Sequence, residues 1–260
     1  MKDADTLIGL LNRKEKLVAM LAPSFPIVFD YPQIVGKLKR MGFFYVVEVT
    51  TGAVRTNQAV VNALRENPQS RFITSPCASF SRMVKTKYPH LVKYLAAGAD
   101  SPMIATAKIA AEKWPEYRPV FIGPCIVKKL EANEDHPELN ILVLTYKELQ
   151  EVFTKTNGAN STDLTDSTFD LSEQSTRLYP ISGGLADSSG IQHLLSEDQY
   201  QIVSGWNNCV KALDNWEKNA DVRLLDILYC DGGCINGPGI ASSLSIDDRR
   251  QKIINFWQKE

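Results

Sequence analysis

Residues 224–234 read LLDILYCDGGC: a mainly apolar run, interrupted only by Asp226, passes into a turn of Asp231, Gly232 and Gly233, with Cys230 and Cys234 at either side of it. A short apolar run closed by turn residues predicts a strand buried on both faces, as in a parallel sheet. Two other stretches repeat the arrangement. Residues 71–77 (RFITSPC) deliver Cys77, and residues 119–125 (PVFIGPC) deliver Cys125. Three strand ends therefore carry four thiols. In a parallel α/β sheet the carboxyl ends of the strands converge on the edge where ligands bind. Four cysteines on such an edge suggest a thiolate cage for zinc or for an iron–sulfur cluster.

Spacing alone leaves both metals open. Zinc ribbons usually pair two Cys-x-x-Cys knuckles. Here Cys230 and Cys234 have three residues between them, Cys77 and Cys125 stand alone, and His90, His136 and His193 lie outside the turns. The fifth cysteine, Cys209, sits in the helix-like NNCVKALDNW and reads as a buried small hydrophobe, while Trp206 and Trp216 read as core.

Working outward, strand-like runs are predicted at residues 16–23, 44–50, 71–75, 118–123, 140–145, 177–182, 200–204 and 223–230. Helix-like patterns lie between most of them, at 33–41, 55–65, 78–97, 103–113, 146–155 and 207–218, with a last helix over 245–260. Alternating strands and helices predict an α/β fold with parallel sheets. A break near residues 114–118 divides the chain into two lobes, 1–116 and 117–260, each expected to hold a mainly parallel four-stranded sheet flanked by helices. The cofactor would lie in the cleft between them. Residues 154–176, rich in Asn, Ser, Thr and Asp, read as an exposed insertion. Ser182-Gly183-Gly184 lacks the Gly-Lys-Ser/Thr of a phosphate loop and reads as a tight strand-to-helix turn.

Of 260 residues, 44% are hydrophobic and 23% charged, values that exclude disorder, collagen and coiled coil. A net charge of -1 argues against nucleic acid as partner. No apolar run is long enough for a membrane span, and the opening MKDADTLIGLLNRKEK mixes charge signs unlike a signal peptide. A cytoplasmic protein with free thiols is expected.

With these turns identified, the chain resembles the catalytic H-domain of [FeFe]-hydrogenases from about Lys16 to Gly239. Thr74-Ser75-Pro76-Cys77 is similar to the first family signature, Thr-Ser-Cys-Cys-Pro. Gly123-Pro124-Cys125-Ile126-Val127-Lys128-Lys129 is similar to the second, Met-Pro-Cys-x-x-Lys-Lys. Residues 230–239 (CDGGCINGPG) are similar to the third, Cys-Pro-Gly-Gly-Cys-x-x-Gly-Gly-Gly. Weaker echoes are Ala22-Pro23-Ser24 and Ser101-Pro102-Met103. The resemblance implies an H-cluster, which is a [4Fe–4S] cubane joined through one cysteine sulfur to a diiron unit with CO, cyanide and a dithiolate. It implies that Cys77, Cys125 and Cys230 hold the cubane, that Cys234 bridges, and that Lys128 donates to a diiron cyanide. Ala22, Pro23, Ser24, Ser101 and Pro102 would line the diiron pocket. Lys128 and Lys129 would offset the anionic cluster, and Gly232 and Gly233 would bring backbone N–H groups to its sulfurs. The implied substrates are H2 and protons, and the implied electron partner is a ferredoxin or ferredoxin-like domain, since no cysteine precedes Cys77.

Departures from the family concern protons. Pro76 stands where efficient enzymes carry a proton-relaying cysteine, and it has no ionisable group. Residues 52–61 contain no acid where the family often has a Glu pair, and Ala97 stands at the relay serine. Gly123 and Leu228 replace pocket methionines. Asp231, replacing a proline, is either a substitute acid or a turn residue. An intact cage with a broken relay resembles the sensory-type branch: slow reversible H2 oxidation, suited to sensing. The alternatives are a non-catalytic [4Fe–4S] protein of the same fold and a structural zinc protein.

Overall fold

Residues Leu17–Leu21 are buried without exception, and a strand can bury both faces only in the interior of a sheet covered on both sides. The computed structural model describes residues 2–74, 76–96, 98–156 and 168–259. In chain order its elements are α1 (Lys2–Asn12), β1 (Leu17–Leu21), α2 (Gln33–Met41), β2 (Tyr45–Glu48), α3 (Thr50–Glu66), β3 (Phe72–Ile73), α4 (Ala78–Lys87), α5 (Pro102–Lys113) and β4 (Arg118–Gly123). There follow α6 (Lys128–Leu130), β5 (Leu142–Thr145), α7 (Tyr146–Lys155), α8 (Gly184–Ser189), β6 (Tyr200–Ser204), α9 (Trp206–Trp216), β7 (Leu224–Leu228) and α10 (Ile246–Trp257).

Two all-parallel sheets result. One has the order β2-β1-β4-β5 and the other β3-β7-β6. Helices cover both, as the predicted alternation requires. The larger core surrounds the first sheet, and two smaller cores flank the second. No helix among the described residues is long and apolar enough to cross a membrane.

Several expectations change. Residues 177–182 form turns rather than a strand, with a single antiparallel bridge between Ile181 and Gly233. Pro180 has no N–H to give a ladder, so the second sheet has three strands among the described residues. The sheets also do not follow the division at residue 116. β4, just after the break, pairs with β1, and β3 pairs with β7, so each sheet joins both chain halves. The predicted helix over 78–97 stops at Lys87 because Pro89 follows, and a 3-10 stretch, Pro89–Tyr94, takes over. Part of the predicted insertion, residues 157–167, lies outside the described residues. Its far end is no loose loop, since Leu171 bridges Val47 and the Asp170 carboxylate accepts the Val46 N–H at 2.8 Å along the outer edge of β2.

Helices α3 and α5 touch at Gly52, where a Cβ would run into the Pro102 carbonyl and the Thr106 N–H. Gly52→Ala is therefore expected to lower stability by about 1–3 kcal/mol, read from urea denaturation. A second prediction concerns Asp226, buried in the middle strand β7, whose carboxylate accepts the Ala186 N–H at 3.2 Å. Burial pushes its pKa from 3.8 up to about 6, against the Ala186 and Thr74 hydrogen bonds. The folded state keeps this proton to higher pH than the unfolded chain, so stability falls as pH rises through that interval. Asp226→Asn should flatten this part of a stability–pH curve.

Candidate metal centre

The carboxyl ends of β3, β4 and β7 run directly into the three cysteine turns. Cys77 takes an extended backbone and caps α4. The loop that carries Cys230 and Cys234 is fastened on both sides. Gly239 N–H donates to the Pro124 carbonyl at 2.8 Å, and Ile235 N–H to that of Pro180 at 3.2 Å. Ser182 N–H donates to the Gly232 carbonyl at 3.1 Å, and Gly232 N–H to the Ser204 hydroxyl at 3.2 Å. Cβ atoms on Gly237 and Gly239 would both collide with Pro124, so these glycines let the third turn lie on the second. Gly232 and Gly233 have φ of 73° and 102°, the left-handed region that favours glycine. Their N–H groups go to Ser204 and to the Cys230 carbonyl, so they shape the turn instead of facing a sulfur. The sulfur of Cys77 receives the N–H groups of Tyr229 and Phe80.

The four cysteines act on one another. Burial first, and then the charges of Cys77, Cys125 and Cys230, push the Cys234 thiol well above its ordinary range, with Lys128 opposing. Burial pushes Cys230 to about 12, with Cys77 and Cys125 adding to it. Cys77 is raised by burial and then by Cys125. All five cysteines are free of disulfides. Among the described residues no three His, Cys, Asp or Glu side chains gather as ligands of one ion, the arrangement that a tetrahedral zinc site requires. A cubane takes one thiolate at each of four corners, so its ligands need no common centre. Four mutually interacting thiols with a nearby cation and two N–H donors on one sulfur fit such a group.

Beside the thiols lies a mainly apolar cavity of about 80 Å³. Cys125, Cys234 and Lys128 line it, together with Ala22, Pro23, Ser24 and Pro102. Cys77 and Cys230 are not in its wall. Ser101 is not either; its hydroxyl accepts the Ile104 N–H at 3.4 Å and caps α5. Lys128 is buried and donates to the Pro76 carbonyl at 3.2 Å and to Glu131 Oε2 at 2.6 Å. Burial pulls its pKa down, but Glu131 and then Cys125 and Cys77 outweigh that and raise it, so the ammonium stays charged. Lys129 instead ties α1 to α7 through Asp3 at 2.6 Å and Glu148 at 2.5 Å and offers no charge to the thiols.

The family described as iron only hydrogenase large subunit, C-terminal domain, matches residues 15–238. The chain belongs to that family. Its fold agrees with [FeFe]-hydrogenase HydA1 from Chlamydomonas reinhardtii, solved as a single-residue variant, with a TM-score of 0.71 at 19% identity over 95% of this chain and 88% of that one. An [FeFe]-hydrogenase solved in connection with oxygen inactivation of the 2Fe subcluster of its H cluster gives 0.72 at 17% identity over 97% and 88%. At such identities the likeness is one of fold.

Within this hydrogenase domain, the sequence pattern did not single out several cavity residues. Phe121 and Tyr179 line the wall, and a Cβ on Gly123 would collide with the Phe121 ring, which therefore occupies the room beside that glycine. Tyr146 is fully buried and donates to the Ala22 carbonyl at 2.8 Å. Its hydroxyl also lies 2.8 Å from that of Ser24. Because a carbonyl can only accept, the single Tyr146 proton goes to Ala22 and Ser24 donates to Tyr146. Glu131 was legible as an acid one helical turn beyond Lys128. Cys209 is buried as expected and donates to the Leu228 carbonyl at 3.4 Å, and Trp216 is core, but Trp206 is 39% exposed. Asp231 is exposed, packs against Gly205 and is absent from the cavity wall, which fits a turn residue. Ser75 and Ala97 lie outside the described residues.

Glu131→Gln would leave the buried Lys128 ammonium without its partner. A loss of about 3–5 kcal/mol is expected in chemical denaturation, and Lys128→Met combined with it should restore part of that stability.

Proposed function

We propose that this domain binds an H-cluster and interconverts H2 with protons and electrons slowly, in a manner suited to sensing hydrogen. Cys77, Cys125, Cys230 and Cys234 would hold the [4Fe–4S] cubane. Cys234 would bridge to a diiron unit with CO, cyanide and dithiolate ligands in the adjoining cavity. The observation that carries the proposal is that Cys125, Cys234 and Lys128 border one cavity with Ala22, Pro23, Ser24 and Pro102. Cys77 and Cys230 lie outside its wall, which suits cubane corners remote from the diiron unit.

Bound there, the cluster would supply the iron-centred redox chemistry of dihydrogen. The protein's part is to bury it, orient it and govern protons. Two of the three Lys128 N–H groups are taken by Pro76 and Glu131, which leaves one for a cyanide nitrogen. The Ser24 proton is committed to Tyr146, so Ser24 would offer lone pairs only. Among the described residues the cavity wall contains no carboxylate, and Pro76 has no ionisable group to offer it. A general acid must reach its proton partner, so turnover would be slow. A ferredoxin-like carrier would supply electrons, and the free thiols suit a reducing cytoplasm.

A non-catalytic [4Fe–4S] protein is the second reading. The Phe121 ring beside Gly123 and the small cavity favour it, because they limit the room for a diiron unit.

Anaerobic reconstitution with iron and sulfide, followed by a synthetic diiron precursor, separates the two. Infrared bands of iron-bound CO and cyanide are expected, with the cyanide bands shifted in Lys128→Met. A [4Fe–4S] chromophore without such bands would support the second reading, and zinc uptake without a cluster would defeat both. In the loaded protein, Pro76→Cys should raise H2 turnover about tenfold or more by restoring a group that can pass protons. Equal rates would mean that protons enter elsewhere.

A further inference from the structure

Glu48 closes strand β2 and is fully buried. It pairs in register with Leu21, the last residue of β1, directly before Ala22, Pro23 and Ser24 of the cavity wall. Val49 of the same wall follows it in the chain. A carboxyl group thus sits at the carboxyl edge of the parallel sheet, where ligands bind, one step from the wall along each of two neighbouring strands. Its Oε2 accepts the Arg177 Nε–H at 3.1 Å, whereas Oε1 is buried with no hydrogen-bond partner among the described residues. Arg177 is itself buried, lies 4.1 Å from the Phe256 ring of α10 and reaches the Lys259 carbonyl at 3.5 Å. The other groups that act on Glu48 are the Thr50 hydroxyl at the start of α3 and Tyr146 of α7. Asp170 and Lys39, at the outer edge of β2, pair with each other at 3.4 Å, and Glu173 is exposed.

Resting on the cluster assignment above, we infer that Glu48 is a proton-binding site linked to the charge of the cluster: Oε1 takes one proton from solvent when one electron enters the cubane, and returns it on oxidation. The electron comes from H2 or from an added reductant such as dithionite, which is oxidised, and the O–H bond of Glu48 is the only bond formed on the protein. An ionised carboxyl with an unpaired oxygen is costly in a dry interior, and a single buried partner does not remove that cost. Burial raises the Glu48 pKa from 4.5 to about 7, against Arg177 and Thr50. A group poised there changes its charge when the local field changes. Tyr146 shows that Glu48 and the thiols share one field. Burial pushes the Tyr146 hydroxyl well above its ordinary range, and the charges of Cys234 and Glu48 push it further, so both act on the same buried group. Reduction adds negative charge on the Cys234 side, which favours the neutral form of Glu48. Tyr146 passes no proton itself, because its only one goes to the Ala22 carbonyl.

The test begins with the full chain before any cluster is added, its glutamate carboxyls isotope-labelled for NMR. One glutamate signal should titrate near pH 7. It should be missing in Glu48→Gln and move to higher pH in Arg177→Gln, which removes the opposing cation, while Arg177→Lys should keep it near the wild-type position. The wild-type titration needs no variant to fold, and circular dichroism checks those that are compared. In the chain reconstituted with iron and sulfide, the reduction midpoint of the cubane, followed by its visible absorption, should fall as pH rises from about 6 to about 8 in wild type and stay level in Glu48→Gln. No glutamate titrating near neutrality would overturn the inference, and so would equal pH dependence of the midpoint in wild type and Glu48→Gln. A chain that assembles the cluster with a level wild-type midpoint would keep the proposed function and end this inference alone. A chain that takes up no cluster would defeat both together, and a titrating Glu48 would then remain as a property of the fold.

Discussion

Cys77, Cys230 and Cys234, whose thiols burial and neighbouring cysteines push up, lie with Cys125 beside one buried ammonium, and the rest of the site follows from that electrostatic arrangement. Thiolates brought together in a poorly hydrated space repel, and burial disfavours the charged form of Cys77, Cys230 and Cys234. Lys128 opposes both effects at Cys234 and Cys77, and remains charged because Glu131 is placed one turn further along.

Convergence is achieved by backbone, not by side-chain packing alone. The turns after β4 and β7 lie against each other because Gly237 and Gly239 present no Cβ to Pro124, and because Gly239 donates to the Pro124 carbonyl. Pro180 and Ser182 secure the opposite side. Pro180 thus ends any strand in its own segment and frees its carbonyl to hold Ile235. The residue that costs the second sheet a strand is also one that fixes the cysteine loop.

Much of this was legible in the chain. Seven of the eight predicted strands exist, because mainly apolar runs such as Leu17–Leu21 and Leu224–Leu228 can be satisfied only inside a covered sheet. The positions of Cys77, Cys125, Cys230 and Cys234 at turns after apolar runs also stand. The buried role of Cys209 was readable from its helical setting. Misread features share one cause, which is long-range pairing. Trp206 looked like core because it is large and apolar, yet its helix begins at a surface groove. Lys129 looked like a cluster cation because it adjoins Lys128, yet the following helical turn points it at Asp3 and Glu148.

Local sequence determined which segments are strands, where each turn falls and which side chains carry sulfur, since these depend on periodicity and on the stereochemistry of Pro and Gly. Tertiary structure alone decided that β4 joins β1 rather than opening a separate lobe, that Phe121 occupies the space beside Gly123, and that the Ser24 proton is taken by Tyr146. The first and last of these depend on contacts between residues roughly a hundred positions apart, and no local pattern encodes which of many apolar or polar partners will meet.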